Sequence, residues 1–121
     1  MRRADYAKRH AAADIFLKEN LSDDAVGVAS RFSGDDTLLR RVMDAVMGTH
    51  APWIIETARK EAEPVMDGAR SNHYREAAGW LGYVKRAYDA LEQGAEWDAY
   101  IAALRGEHKR KYRLMEELEG L

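Results

Sequence analysis

Apolar residues recur at helical spacing along the first half of the chain. One stripe runs from about Arg3 to Glu19, which predicts a first helix that stops near Asn20. Ser22, followed by two aspartates, has the character of an N-cap and predicts a short second helix. The turn-forming segment 33–36 then starts an acidic, strongly amphipathic third helix that Gly48 ends.

The same periodicity continues in the second half. Pro52 occupies the first turn of a predicted fourth helix, where the missing N–H costs little. Pro64 lies inside that pattern, and it predicts either a kink near Glu63 or a helix that ends there. A fifth helix spans 73–92, and after Gly94 the stripe predicts one long last helix that reaches about residue 118.

This succession of elements predicts an all-α protein. Five to six helices joined by short turns are typical of antiparallel helical hairpins, and we favour an α-solenoid of tetratricopeptide-like character with right-handed stacking. The strict 34-residue repeat signature is absent, so an irregular helical bundle stays open. With 121 residues we expect one helical domain, in which 1–48 form N-terminal helices and 50–121 form the hairpins.

Six aromatic residues fall between His73 and Tyr100, and they could form either a core or a binding face. Aromatic stripes at helical spacing usually fill the space between packed helices, which is our interpretation for most of them. Trp80 and Tyr83 lie on the flank of the main stripe. We therefore predict that these two rings line a shallow concave surface that binds a partner.

Composition narrows the functional classes. The chain has no cysteine, which excludes disulfides, thiolate zinc sites and cysteine nucleophiles and fits a reducing compartment. The N-terminal segment is basic and amphipathic without an apolar run typical of a signal peptide, and no segment has the roughly 18 consecutive apolar residues of a membrane span. We therefore expect a cytoplasmic protein without a membrane partner.

Catalytic and metal-binding motifs are missing from the sequence. No histidine has a glutamate three residues before it, as a di-iron bundle requires, and HExxH, GxSxG and phosphate-binding glycine loops do not occur. His10 and His108 lie on apolar stripes, where a hydrogen-bonded core histidine is the common outcome. We expect no enzyme, no metal and no cofactor; a histidine-dependent or metal-dependent enzyme is the weakest of three hypotheses.

The basic segment 105–114 offers a second kind of surface. It carries a local charge of about +4 with Tyr112 interleaved, which could neutralise several phosphates. The cations that would do so are Arg105, Lys109, Arg110 and Arg113. Their spread around the polar side of the helix and the acidic residues that follow favour a solvated face instead. His108 and Lys111 interrupt the apolar stripe, which predicts a polar network with a neighbouring helix.

About half of the chain, from Trp53 to Leu118, resembles the C-terminal helical region of prokaryotic SWIM zinc-finger proteins. The resembling positions are Tyr74, Ala77, Trp80, Leu81, Lys85, Ala87, Tyr88, Trp97, Tyr100, Leu104, His108, Arg110, Lys111, Tyr112 and Leu114. The resemblance implies a helical interaction region that is part of, or derived from, a longer protein of this kind. The cysteine ligands of the family's zinc module are absent here, so its zinc-binding role does not carry over.

The leading hypothesis is therefore a non-enzymatic helical interaction module. Its partner would be a protein or peptide, a second copy of the chain included. An accessory nucleic-acid surface on the basic segment is the alternative.

Overall fold

Helices make up most of the part of the protein that a computed structural model describes, residues 3–68 and 71–121. In these ranges there are seven α-helices, one 3-10 turn (Ser71–His73) and no strand. The helices are α1 (Arg3–Lys18), α2 (Ser22–Arg31), α3 (Asp36–Val46), α4 (Ala51–Asp67), α5 (Tyr74–Ala90), α6 (Gly94–Glu107) and α7 (Tyr112–Glu119). The all-α prediction is confirmed. The turn predicted after Gly68 includes residues 69 and 70, which lie outside the described ranges.

The chain divides into two compact units, Met1–Val46 and Met47–Leu121. The first unit contains α1, α2 and α3, and α3 has the most apolar buried face of the three. The buried side chains of α3 are Leu38, Leu39, Val42, Met43 and Val46. The second unit contains the four remaining helices.

The end of α1 is a left-handed turn at Asn20, whose φ is 59°. The N–H of Leu21 donates to the carbonyl of Phe16 (2.7 Å) and the N–H of Asn20 donates to that of Leu17 (3.2 Å), which is the Schellman pattern. This turn places Leu21 at the N-cap of α2, and it makes no side-chain cap. The predicted N-cap at Ser22 is therefore wrong by one residue, because Ser22 is already the first residue of the helix.

Helix α5 is central to the second unit, since it packs against α4, α6 and α7. Its contact with α4 is the most extensive between any two helices in the described ranges. Alanines are buried on both helices, among them Ala58 and Ala62 on α4 and Ala77 and Ala87 on α5. Side chains this small let two helix backbones approach closely, which explains how α4 and α5 pack side by side as a hairpin.

Helix α4 continues through Pro64 to Asp67. The prediction that it ends near Glu63 is therefore wrong, and the kink stays a prediction. Pro64 lies in the last turn of the helix, so it removes a hydrogen bond only close to the end. The Pro64 carbonyl still accepts a hydrogen bond from the N–H of Gly68 (3.0 Å), which closes the helix beyond the proline.

The last helix is not continuous, contrary to the prediction. Helix α6 ends at Glu107, a turn covers 108–111, and α7 begins at Tyr112. Within that turn the N–H of Lys111 donates to the carbonyl of His108 (2.8 Å). The break lets the buried Leu114 and Leu118 of α7 face the core while α7 packs on α5.

Candidate functional site

The aromatic rings between His73 and Tyr100 divide into buried and half-buried groups. Tyr74 and Trp97 are 3% and 5% exposed, which confirms their interpretation as core, and Trp80 is 1% exposed as well. The remaining three, Tyr83, Tyr88 and Tyr100, are half-buried. The prediction that Trp80 lines an open surface is not supported by this placement. Trp80 lies on the flank of the apolar stripe, but α5 packs against three neighbouring helices, so this flank is also buried.

Tyr83 keeps part of its ring at the surface of α5. The ring centroids of Trp80 and Tyr83 lie 6.1 Å apart, and the guanidinium of Arg86 lies 5.2 Å from the Tyr83 centroid. The adjacent Gly82 has open space where a Cβ would stand, because no described atom lies within 4 Å other than those of its chain neighbours and its own helix backbone. Packing within the chain therefore does not require glycine at position 82. A binding role for Tyr83 stays a prediction.

A polar cluster joins α4 to α6 in the second unit. The Glu63 carboxylate accepts hydrogen bonds at one oxygen, Oε2, from the Tyr100 hydroxyl (3.1 Å) and from Nε of Arg59 (3.2 Å). The Arg59 guanidinium also lies 4.4 Å from the centroid of the Tyr100 ring. Burial, and then the negative charge of Glu63, raise the pKa of Tyr100 well above its usual value. The phenol therefore stays protonated and serves as a hydrogen-bond donor.

Next to this cluster, the ends of α4 and α6 bring three potential metal ligands together. Nε2 of His108 lies 3.6 Å from Oδ1 of Asp67 and 3.9 Å from Oε2 of Glu107. One ligand atom of each residue lies within 4.8 Å of those of the other two. They line a cavity of about 200 Å³ whose wall also includes Glu63, Met66 and Leu104. Sequence reasoning missed this group, since Asp67 belongs to a different helix and no short motif links it to His108.

The turn between α6 and α7 places the basic residues at the surface. Arg105, Lys109, Arg110 and Arg113 are all exposed, and Tyr112 between them is 78% exposed. Arg105 donates a hydrogen bond to the carbonyl of Leu118 (3.0 Å), which ties it to α7. Lys111 differs from these cations, because its ammonium donates to the carbonyl of Met66 (2.6 Å). The polar contact predicted between Lys111 and a neighbouring helix is thus confirmed.

The first unit contains its own buried charges. Nε2 of His10 donates to Oδ2 of Asp35 (2.8 Å), and Nη1 of Arg9 lies 3.6 Å from the same oxygen. The other Asp35 oxygen accepts the N–H of Leu38 (3.1 Å) at the start of α3. The Arg9 guanidinium also stacks 4.0 Å from the centroid of the Phe32 ring. The hydrogen bond predicted for His10 is confirmed, and its partner Asp35 caps α3. The ring is half-buried, so the predicted core position is wrong.

Comparison with known proteins gave no match among protein-family models, curated proteins or solved structures. None of the helices in the described ranges is both long and apolar enough to cross a membrane.

Proposed function

We propose that this protein is a non-enzymatic helical interaction module whose binding face is the partly exposed side of α5 around Gly82 and Tyr83. The proposal is carried by the half-buried ring of Tyr83 next to the open space beside Gly82; Gly27 in α2 and Gly106 in α6 have similar open space but no such ring next to them. Glycine inside a helix costs up to about 1 kcal/mol relative to alanine, and no neighbour in the described chain requires it here. A partner that approaches the α5 backbone closely would explain why the cost is tolerated. Tyr83 then supplies a large apolar contact with a polar end.

The partner is a protein or peptide, and a second copy of the chain is the first candidate to test. Sedimentation over a wide concentration range should show reversible association of the wild type. Gly82→Leu fills the space without lowering helix propensity, and Tyr83→Ala removes the ring; each should weaken association at least about tenfold, as expected for a contact worth about 1.4 kcal/mol or more. Ala103→Leu adds bulk at an exposed position of α6 and serves as the control.

A monomeric wild type would exclude the second copy and direct the test to a displayed peptide library. Peptides selected on the wild type should then lose binding to Gly82→Leu and Tyr83→Ala while keeping it for Ala103→Leu. The proposal fails if the two α5 variants bind as the wild type does, or if neither experiment yields a partner.

We also propose that the helical hairpins stack in the tetratricopeptide-like manner. A further proposal is that the second half of the chain shares ancestry with the helical region of SWIM zinc-finger proteins. The shared ancestry is supported by burial, since several of the resembling positions are packing residues here: Trp80, Leu81, Trp97, Leu104 and Leu114. An experimentally determined SWIM helical region whose helices superpose on α4 to α7 would support the relationship. A different helix order or handedness there would count against it.

Nucleic-acid binding through the basic turn, meaning the exposed cations of the basic segment 105–114, is the second candidate function. Its supporting observation is the exposure of Lys109, Arg110 and Arg113 around the open ring of Tyr112, since cations with an interleaved aromatic suit phosphates and a stacked base. Anisotropy of labelled single-stranded and duplex oligonucleotides should show binding that weakens steeply with salt. Neutralising the three cations to glutamine should abolish it.

The matched control removes the same charge elsewhere by neutralising Lys8, Lys18 and Arg75, which are exposed and lie outside the turn. Equal losses in the two triple variants would indicate a nonspecific charge effect and reject the basic turn as a site. No binding at low salt would also reject it.

A further inference from the structure

His108 combines deep burial with an incomplete set of hydrogen bonds. It is 5% exposed, yet among the described residues its Nε2 has carboxylate oxygens only at 3.6 and 3.9 Å, beyond hydrogen-bond distance. The imidazole edge points at the two carboxylates and into the cavity that the three residues line. The geometry therefore leaves space for a further group between the three side chains.

The separations of the ligand atoms suit a metal ion in that space. In a tetrahedral site with bonds of about 2.0 to 2.2 Å, ligand atoms lie roughly 3.3 to 3.6 Å apart. The Asp67 and Glu107 side chains are 64% and 65% exposed, so both are free to move inward from their present separations, all within 4.8 Å, and close around an ion. His108 is held in place by its burial and provides the fixed ligand.

We propose that Asp67, Glu107 and His108 bind a divalent transition-metal ion, with Zn²⁺ as the best match. One imidazole nitrogen and two carboxylate oxygens are ligands that zinc accepts, and the two carboxylates neutralise the charge of the ion. Calcium and magnesium prefer sites made of oxygen atoms and do not need the histidine. The cavity leaves room for water as the fourth ligand, so the site is open on one side.

Glu63 lines the same cavity but does not belong to the ligand set. Its Oε2 already accepts hydrogen bonds from Tyr100 and Arg59, which hold the carboxylate in the wall. An ion at the proposed position would connect the end of α4 with the end of α6. The site thus differs in place and chemistry from the α5 face and from the basic turn, and its failure would leave both proposals untouched.

The test is calorimetric titration of the full chain with ZnCl₂, using substitutions that keep the fold. Asp67→Asn and Glu107→Gln change exposed side chains and conserve their shape, so both variants should fold like the wild type. Changes outside the ligand shell already weaken metal sites about 10- to 100-fold, so loss of a ligand should weaken zinc binding at least tenfold. The wild type should bind one equivalent.

The matched control is His73→Ala. His73, the N-cap residue of α5, forms a pair with Glu76 of the first turn (3.8 Å), the kind of surface pair that binds zinc adventitiously. Its removal should leave the calorimetric affinity unchanged. In an NMR titration, the ring signals of His108 should shift with zinc before those of the other three histidines.

Three outcomes would overturn the proposal. The first is the absence of saturable binding by the wild type. The second is equal affinity in the wild type, Asp67→Asn and Glu107→Gln, and the third is a loss of affinity in His73→Ala together with shifts confined to its ring. The latter two would identify an adventitious ion only.

Discussion

The ammonium of Lys111 donates a 2.6 Å hydrogen bond to the carbonyl oxygen of Met66 near the end of α4. The last carbonyls of a helix have no partner within the helix, and a positive charge there also suits the negative end of the helix dipole. The half-buried Lys111 thus connects the turn after α6 to the end of α4. This contact explains why a lysine interrupts the apolar stripe.

Replacing Lys111 with methionine should lower the free energy of unfolding by about 2 kcal/mol, because it removes a charge-assisted hydrogen bond and leaves the Met66 carbonyl without its partner. The measurement is the urea midpoint at constant slope. Lys109→Met makes the same chemical change at an exposed position and should cost less than about 0.5 kcal/mol. Equal costs in the two variants would show that the contact with Met66 contributes nothing.

The Tyr100 hydroxyl should stabilise the fold through its hydrogen bond to Glu63. Tyr100→Phe keeps the ring under the Arg59 guanidinium and removes only the donor. We expect a loss of about 1 kcal/mol at neutral pH. Tyr112→Phe, at an exposed ring, should be within about 0.5 kcal/mol of the wild type and is the control.

The raised pKa of Tyr100 also predicts a dependence of stability on alkaline pH. The folded protein keeps the proton above pH 10.0, the ordinary tyrosine value, whereas the unfolded chain releases it. The unfolded state then binds fewer protons, so this contribution to stability is complete below that value and decreases as the pH rises through it. The difference in unfolding free energy between wild type and Tyr100→Phe should shrink from about pH 9 to about pH 11. A difference that stays constant would mean that Tyr100 ionises normally in the fold.

Asp35 should be the most sensitive polar position of the first unit. Asp35→Ala removes the cap of α3 and leaves the buried Arg9 without its 3.6 Å carboxylate contact, so we expect a loss of about 3 kcal/mol or more. Thermal unfolding followed by circular dichroism measures it. Asp24→Ala removes an exposed carboxylate from the first turn of α2 and should cost at most about 1 kcal/mol. Comparable costs would indicate that Asp35 acts through the helix dipole alone.

Glu92 has a left-handed backbone conformation with φ of 57°. It ends α5 in the Schellman pattern, since the N–H of Gln93 donates to the carbonyl of Tyr88 (2.8 Å). Glycine has no Cβ penalty there, so Glu92→Gly should stabilise the protein by roughly 0.5 to 1 kcal/mol. The same change at Glu117 inside α7 should destabilise it by about 1 kcal/mol. A lower chemical-denaturation midpoint for Glu92→Gly would contradict the prediction.

The local sequence pattern predicted most of the helices, because the apolar periodicity and the turn residues indicate the same helix boundaries. It failed between α6 and α7, where the stripe continues through His108 and Lys111 but the chain turns. The spacing of apolar residues does not reveal that Lys111 reaches a carbonyl on α4. At Pro64 the local pattern predicted a helix end that does not occur. The proline lies in the last turn of α4, which packs on α5, and the helix continues through it.

The candidate sites depend even more on tertiary contacts. The sequence identified the exposed cations of the basic turn because neighbouring residues carry that signal. The sequence could not identify the contact between Asp67 and His108, because it forms only when the fold brings the end of α4 next to the end of α6. Trp80 lay on the flank of the stripe, and only the number of helices around α5 shows that this flank is covered.

The position of α5 at the centre of the second unit has a consequence for the order of folding. Helices α4 and α5 are neighbours along the chain and share the most extensive contact, so their hairpin forms at little cost in loop closure. Helix α7 reaches α5 only after α6 has been traversed. The hairpin should therefore be structured in the transition state for folding, and α7 should dock afterwards. Ala77→Gly in α5 should slow folding, whereas Leu114→Ala in α7 should mainly accelerate unfolding.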